Sequence, residues 1–155
     1  MKTTEVIGGE TNRKNSYVIY ESKDMIEMLK SVIREHGEVI AAYLYGSAVQ
    51  GNMRADSDID IGILLMDDAV PDYLYTIRMA REIRSRCHLD REVDVRILNR
   101  RSIRFLHQVL RYGEIVFVRD ERKKVEFETS VIKEYLDFKP FLMEYDRTRR
   151  RRLLA

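Results

Sequence analysis

The stretch that decides the fold of this chain is residues 45–60, YGSAVQGNMRADSDID. It opens on a Gly-Ser pair, and ten residues after the pair it ends in two aspartates separated by one isoleucine. Glycine allows a tight turn against which a phosphate can lie, and paired carboxylates are ligands for a hard metal ion. Phosphate and metal together indicate chemistry on a nucleoside triphosphate.

The composition is that of one folded domain. The chain has 155 residues, 45% of them hydrophobic, which is enough to bury a core. Lys and Arg number 28 against 26 Asp and Glu, and a net charge of +2 gives no general case for nucleic-acid binding. The single cysteine, Cys87, cannot form an intramolecular disulfide, and no apolar run has the length of a membrane span or the character of a signal peptide. We therefore expect a cytoplasmic protein.

The alternation of helical and strand patterns predicts an α/β fold, a single domain with a mixed β-sheet of about four strands covered by helices. We expect a polar N-terminal arm at residues 1–16, the folded domain at 17–146 and a basic tail at 147–155. The predicted strands are 39–45, 58–66, 92–98 and 115–118, and the predicted helices are 22–37, 47–53, 71–86, 102–112 and 122–145, the last with a break near Pro140.

Three aspartates are candidates for a metal site. Side chains alternate across a strand, so Asp58 and Asp60 point to the same face while the neighbouring isoleucines point into the core. Asp94 lies in a second alternating strand whose valines face the core. If the two strands are neighbours, the three carboxylates converge and can hold two Mg²⁺ ions, or one ion plus a general base. The alternative is that both strands present a solvated polar face.

The Gly46-Ser47 pair is a candidate phosphate site. It follows a predicted buried strand and precedes a short helix, whose free N–H groups attract anions. Ser47 can cap that helix or bind a phosphate oxygen, and Arg54 in the following segment can contact another. The alternative is an ordinary strand-to-helix turn that binds nothing.

Taken together, Gly46-Ser47, Asp58-x-Asp60 and the later Asp94 resemble the signature of the nucleotidyltransferase superfamily. This superfamily includes DNA polymerase beta, kanamycin nucleotidyltransferase and the minimal nucleotidyltransferases. The resemblance implies the nucleotidyltransferase fold and a metal-dependent transfer of a nucleotide with release of pyrophosphate.

The C-terminal half of the chain resembles one particular group within this superfamily. The segment from Phe127 to Pro140 is similar to the end of the MntA-type antitoxins, and the likeness as a whole runs from about residue 39 to 145. Antitoxins of this family pair with a HEPN ribonuclease toxin and transfer AMP from ATP to a tyrosine of that toxin. The resemblance therefore implies ATP as substrate and a HEPN-type toxin as partner.

Each candidate residue receives a role from the resemblance. The three aspartates would hold Mg²⁺, and Asp94 would also help to deprotonate the acceptor hydroxyl. Gly46 and Ser47 would bind the triphosphate, whereas the phosphate contact expected of Arg54 rests on its position between the Gly-Ser pair and the acids. Two other acids, Asp90 and Glu92, are alternatives to Asp94, although strand alternation favours Asp94.

Two other functions stay open at this point. The protein could transfer a nucleotide to a small molecule such as an aminoglycoside, or it could be an antitoxin that neutralises its partner by binding alone. The arginines at 147 and 149–152 are better explained as a solvated end than as a docking site for an acidic partner or RNA. The short chain favours an acceptor hydroxyl on another protein, because little of it is left to grip a small acceptor.

Overall fold

A computed structural model describes residues 13–49 and 57–154 of the chain, with side chains from residue 23 onward. These residues form four helices and four strands in one domain. Their order is α1 (Arg13–Arg34), β1 (Val39–Tyr45), a single 3₁₀ turn (Gly46–Ala48), β2 (Ile59–Leu65), α2 (Tyr75–Arg86), β3 (Val93–Ile97), α3 (Ile103–Tyr112), β4 (Glu114–Val118) and α4 (Glu121–Leu154).

The four strands form one mixed sheet in the order β3-β2-β1-β4. Strand β1 lies antiparallel to both of its neighbours, and β2 lies parallel to β3. The central position of β1 explains its composition, since six of its seven residues are buried. The predicted fold class, a single domain with a four-stranded mixed sheet covered by helices, is confirmed.

Helices cover both faces of the sheet and divide the core in two. On one face, Ile59, Ile61 and Ile63 of β2 pack in a cluster with residues of α1 and α2, among them Leu29 and Met79. The opposite face of the sheet packs in a second cluster with α3 and the first half of α4, through Tyr43, Leu64, Leu98, Leu106, Val109 and Val131. The even-numbered residues of β2 belong to this second face.

Several helix boundaries differ from the predictions. Helix α1 begins at Arg13 rather than at Ser22, and α2 begins at Tyr75, four residues after Pro71. The short helix predicted at 47–53 is a 3₁₀ turn that ends at Ala48, and residues 50–53 lie outside the described part of the chain. The division into arm, domain and tail stays a prediction, although residues 147–154 continue α4 as helix.

The predicted break near Pro140 is wrong, because α4 runs without interruption through it. A proline inside a helix removes the hydrogen bond to the carbonyl four residues earlier, here that of Leu136. Leu136, Pro140 and the residues between them are exposed, so water can satisfy that carbonyl and the helix can continue.

Within the described ranges, no helix combines the length and apolar character needed to cross a bilayer.

Candidate functional site

Two of the predicted acids are direct neighbours in the sheet. Asp60 of β2 and Asp94 of β3 are register partners in the parallel pair. Register partners point to the same face of a sheet, and adjacent strands lie about 4.8 Å apart. Asp58 precedes β2 by one residue and is exposed. The sheet therefore brings Asp60 and Asp94 together, with Asp58 at the entrance to the same strand.

The Gly-Ser turn lies against this pair of acids. Tyr45, the last residue of β1, is the register partner of Asp60, so the chain turns at Gly46 directly beside the carboxylate. Gly46 has a φ of 73°, and a Cβ at this position would lie 2.4 Å from Asp60 Oδ2. The left-handed backbone favours glycine, and any larger residue would have to displace the Asp60 carboxylate.

The two other carboxylates affect the ionisation of Asp60. The pKa of Asp60 is raised above its ordinary value by partial burial and by the negative charges of Asp94 and Asp58, while Arg96 opposes the rise. Like charges held this close favour a bound proton or a bound cation.

Arg96 is a functional candidate that the sequence analysis missed. Its Nε donates to Asp94 Oδ2 at 2.8 Å, and its guanidinium carbon lies 5.8 Å from the centre of the Phe105 ring. The hydrogen bond to Asp94 raises the pKa of Arg96, and the charge of Asp60 acts in the same direction. Strand alternation offered the signal, because Arg96 follows Asp94 by two residues and so shares its face.

Tyr45 is a second neighbour of the acids that was not predicted, and it lies partly buried beside Asp60. Its ring packs edge-on against Phe105 at 5.6 Å, and its buried hydroxyl has no hydrogen-bond partner. Burial raises the pKa of Tyr45 to about 12, with Asp60 and Asp94 adding to the rise. The hydroxyl is therefore a neutral group beside the carboxylates.

The donor set fits a hard divalent cation. Asp58, Asp60 and Asp94 offer only carboxylate oxygens, which Mg²⁺ prefers, and burial followed by the charges of Asp94 and Asp58 raises the pKa of Asp60. Among the residues that the structure describes, however, no group of three or more His, Cys, Asp or Glu side chains is close enough to hold a metal ion as it stands. Asp94 instead pairs with Arg96. The metal roles of the three acids therefore stay a prediction.

The predicted phosphate ligands are placed only in part. Gly46 and Ser47 form the turn beside Asp60, and Ser47 is half-buried there. Arg54 lies outside the described residues.

The two alternatives to Asp94 lie outside the strand. Asp90 and Glu92 both precede β3, and Glu92 pairs with Arg84 at 2.6 Å on an exposed surface. Of the three acids considered for this position, Asp94 is the one in register with Asp60.

A known protein family matches the part of the chain that contains all four strands. The Polbeta profile, described as polymerase beta nucleotidyltransferase, matches residues 27–122, more than half of the chain. The chain belongs to the polymerase beta nucleotidyltransferase family. The matched residues include the Gly-Ser turn, β2 and β3, and the protein is a nucleotidyltransferase.

Solved structures share the nucleotidyltransferase fold. A toxin-antitoxin crystal structure with AMP-PNP has a TM-score of 0.65 at 23% identity, covering 84% of this chain and 98% of its own. A tri-AMPylated Shewanella oneidensis HEPN toxin in complex with MNT antitoxin gives 0.61 at 20% identity, over 87% and 99%. The MntA-HepT toxin-antitoxin gives 0.60 at 20% identity, over 86% and 99%. A search of curated proteins returned no significant match.

Proposed function

We propose that this nucleotidyltransferase is an antitoxin that transfers AMP from ATP to a tyrosine hydroxyl of a HEPN ribonuclease toxin and releases pyrophosphate. The observation that carries the proposal is the in-register pair of Asp60 and Asp94 beside the Gly46 turn. The fold it shares with toxin-antitoxin complexes, one with AMP-PNP and one with an AMPylated HEPN toxin, supports the nucleotide and the acceptor. We place the reaction in the cytoplasm.

In this proposal the acids hold the metal and the Gly-Ser turn holds the phosphates. Asp58, Asp60 and Asp94 would hold two Mg²⁺ ions, and the chemistry that bound Mg²⁺ supplies is neutralisation of charge on the triphosphate and the leaving pyrophosphate. Gly46 lets the backbone approach the phosphates, and the backbone and hydroxyl of Ser47 would hold them. Arg54 would add a phosphate contact.

The transfer itself needs an oriented hydroxyl and a proton acceptor. The tyrosine oxygen attacks the α-phosphorus, the bond to the bridging oxygen of the pyrophosphate breaks, and the phenolic proton passes to Asp94. Asp94 can accept this proton only through an oxygen that neither the metal nor Arg96 occupies at that moment. The acceptor hydroxyl would come from the toxin, whose surface would orient it toward the α-phosphorus.

The experiment combines the protein, Mg²⁺, ATP labelled at the α-phosphate and the toxin encoded beside it. We expect label on the toxin, mapped to a tyrosine by peptide mass spectrometry, and no label when EDTA is present. Asp60→Asn should lower the rate at least about a hundredfold, since it removes a carboxylate that is central to charge stabilisation. Asp67→Asn is the matched control, because Asp67 is exposed in the loop after β2.

Two outcomes contradict the proposal. Label on a small molecule, with none on the toxin, would assign a small-molecule acceptor. Undiminished neutralisation of the toxin by Asp60→Asn, despite loss of transfer, would assign an antitoxin that acts by binding alone.

A further inference from the structure

We propose that the cleft between α3 and α4 binds single-stranded nucleic acid, and that the arginine-rich end of α4 extends this binding surface. The cleft has a volume of about 260 Å³ and lies between the outer sides of the two helices. None of its lining residues belongs to the Gly-Ser turn or to the acids of β2 and β3. The inference is therefore independent of the proposed function.

Positive charge predominates in the cleft. Arg104 and Arg111 line it from α3, and Lys139 lines it from α4. Among the described residues that line it, Asp146 is the only carboxylate, and it pairs with Arg104 at 3.2 Å. Arg111 and Lys139 are thus left without a carboxylate partner in the cleft, which favours an anionic ligand.

Aromatic rings lie among these cations. The rings of His107 and Tyr135 are stacked, with an angle of 5° between their planes. Tyr112 is half-exposed, and the guanidinium carbon of Arg111 lies 5.3 Å from the centre of its ring. Burial, followed by the charges of Arg111 and Lys139, lowers the pKa of His107, so its ring is uncharged at neutral pH. Flat rings beside cations are a surface on which unpaired bases stack while the cations hold the phosphates.

Helix α4 carries the positive charge beyond the cleft. Lys139 and Asp146 line the cleft, and the same helix continues through Arg147 and the arginines at 149–152. The helical rise from Lys139 to Arg152 is roughly 20 Å. The small net charge of the whole chain conceals this local excess, and the continuous helix brings the arginines into line with the cleft.

The kinds of side chain distinguish nucleic acid from other anions. Apart from Lys139, all the cations of the cleft and of the helix end are arginines, whose planar guanidinium groups bind phosphate oxygens through two parallel donors. An acidic protein segment would use the cations and leave the rings without a partner. A duplex keeps its bases stacked on one another, so it would not use the rings either.

The test measures the binding of labelled oligonucleotides of about ten nucleotides by fluorescence anisotropy, between about 50 and 200 mM salt. Wild type should bind single strands with an affinity that falls as salt rises. The double variant Arg111→Gln, Lys139→Gln should bind at least about fivefold more weakly. Its slope of log affinity against log salt should be shallower by about 1.4, since each lost phosphate contact removes about 0.7. Tyr112→Leu should weaken binding at least about fivefold and leave the slope unchanged.

The control is the double variant Lys30→Gln, Arg78→Gln, which removes the same charge from ion pairs on α1 and α2, on the opposite face of the sheet. It should bind as wild type does. Tighter binding of RNA than of DNA of the same sequence would support the proposal with RNA as the ligand, and the reverse would support it with single-stranded DNA.

Four results would overturn the proposal. Wild type could fail to bind single strands, or the cleft variants could bind them as tightly as wild type does. A duplex of the same length could bind more tightly than either strand. Polyglutamate at equal charge concentration could displace the oligonucleotide, which would assign the cleft to an acidic protein.

Discussion

The backbone of Gly46 lies against the carboxylate of Asp60, so closely that a methyl group on Gly46 would meet Asp60 Oδ2 at 2.4 Å. Gly46→Ala must therefore displace that carboxylate, and it must hold alanine at a φ of 73°. We expect a loss of about 1 to 2 kcal/mol in the free energy of unfolding and a larger loss, at least about tenfold, in AMP transfer.

Urea denaturation and the transfer assay measure the two effects of Gly46→Ala. The control is Gly37→Ala, because nothing lies within 4 Å of a Cβ built on Gly37. Wild-type transfer by Gly46→Ala would show that the contact with Asp60 is dispensable.

Removal of the Asp60 charge should stabilise the protein when no metal is present. The raised pKa of Asp60 means that its ionised form is disfavoured by burial and by the neighbouring acids. Asp60→Asn should therefore unfold at slightly higher urea in EDTA, by less than about 1 kcal/mol because the site is partly solvated. Asp67→Asn should show no gain. A lower stability of Asp60→Asn than of wild type would mean that the repulsion is already compensated.

Loss of the hydroxyl should affect the stability of the protein differently at two tyrosines of β1. The Tyr45 hydroxyl is buried without a partner, so Tyr45→Phe should leave stability unchanged or raise it by up to about 1 kcal/mol. The Tyr43 hydroxyl donates to Glu128 Oε1 at 2.8 Å, and Tyr43→Phe should cost about 1 to 2 kcal/mol. Thermal unfolding of both variants at neutral pH gives the comparison, and equal losses would contradict it.

The contact between α3 and α4 should weaken at acidic pH. The rings of His107 and Tyr135 are stacked, with their centres 3.5 Å apart. Burial lowers the pKa of His107 below its ordinary value of 6.5, and the charges of Arg111 and Lys139 lower it further. The folded state therefore binds this proton less readily than the unfolded state does. The stabilisation is complete above pH 6.5 and is lost as the pH falls from 6.5 through the lowered pKa.

His107→Gln should remove that part of the pH dependence, which amounts to at most about 0.5 kcal/mol because the ring is partly exposed. Urea midpoints between pH 5 and 8 measure it. His88→Asn is the control, since His88 is exposed and asparagine tolerates its φ of 50°. Parallel pH curves for wild type and His107→Gln would contradict the assignment.

Pro140 should cost stability without shaping the fold. Helix α4 continues through it, and the proline denies the Leu136 carbonyl its helical donor. Pro140→Ala should raise the free energy of unfolding by about 1 to 3 kcal/mol, whereas Lys139→Ala should leave it nearly unchanged. Circular dichroism during thermal unfolding follows both, and a destabilised Pro140→Ala would indicate a packing role for the ring.

The strands could be predicted from the sequence because each has a local signature. The apolar run of β1 and the alternation around Asp94 depend only on which face of a strand is buried. The partnership of Asp60 with Asp94 could only be stated as a condition, since register is fixed by pairing between segments more than thirty residues apart. Alternation places Arg96 on the face of Asp94, but only the folded structure shows that the two side chains form an ion pair.

Helix boundaries were predicted less well for a related reason. Proline disfavours a helix interior locally, but its cost depends on whether water reaches the carbonyl it leaves unpaired, and that depends on the exposure of α4 near Pro140. The start of α1 lies in a polar segment without clear periodicity, so no local signal marked it.

Helix α4 has 34 residues, which corresponds to about 51 Å at 1.5 Å per residue. Its last ion pair with α3, between Asp146 and Arg104, leaves eight further residues of described helix, roughly 12 Å, carrying Arg147 and the arginines at 149–152. The family match ends at the second residue of this helix. The densest positive charge therefore lies on helix beyond the family match, where single helical turns could be added or removed at a distance from the residues proposed to bind the nucleotide.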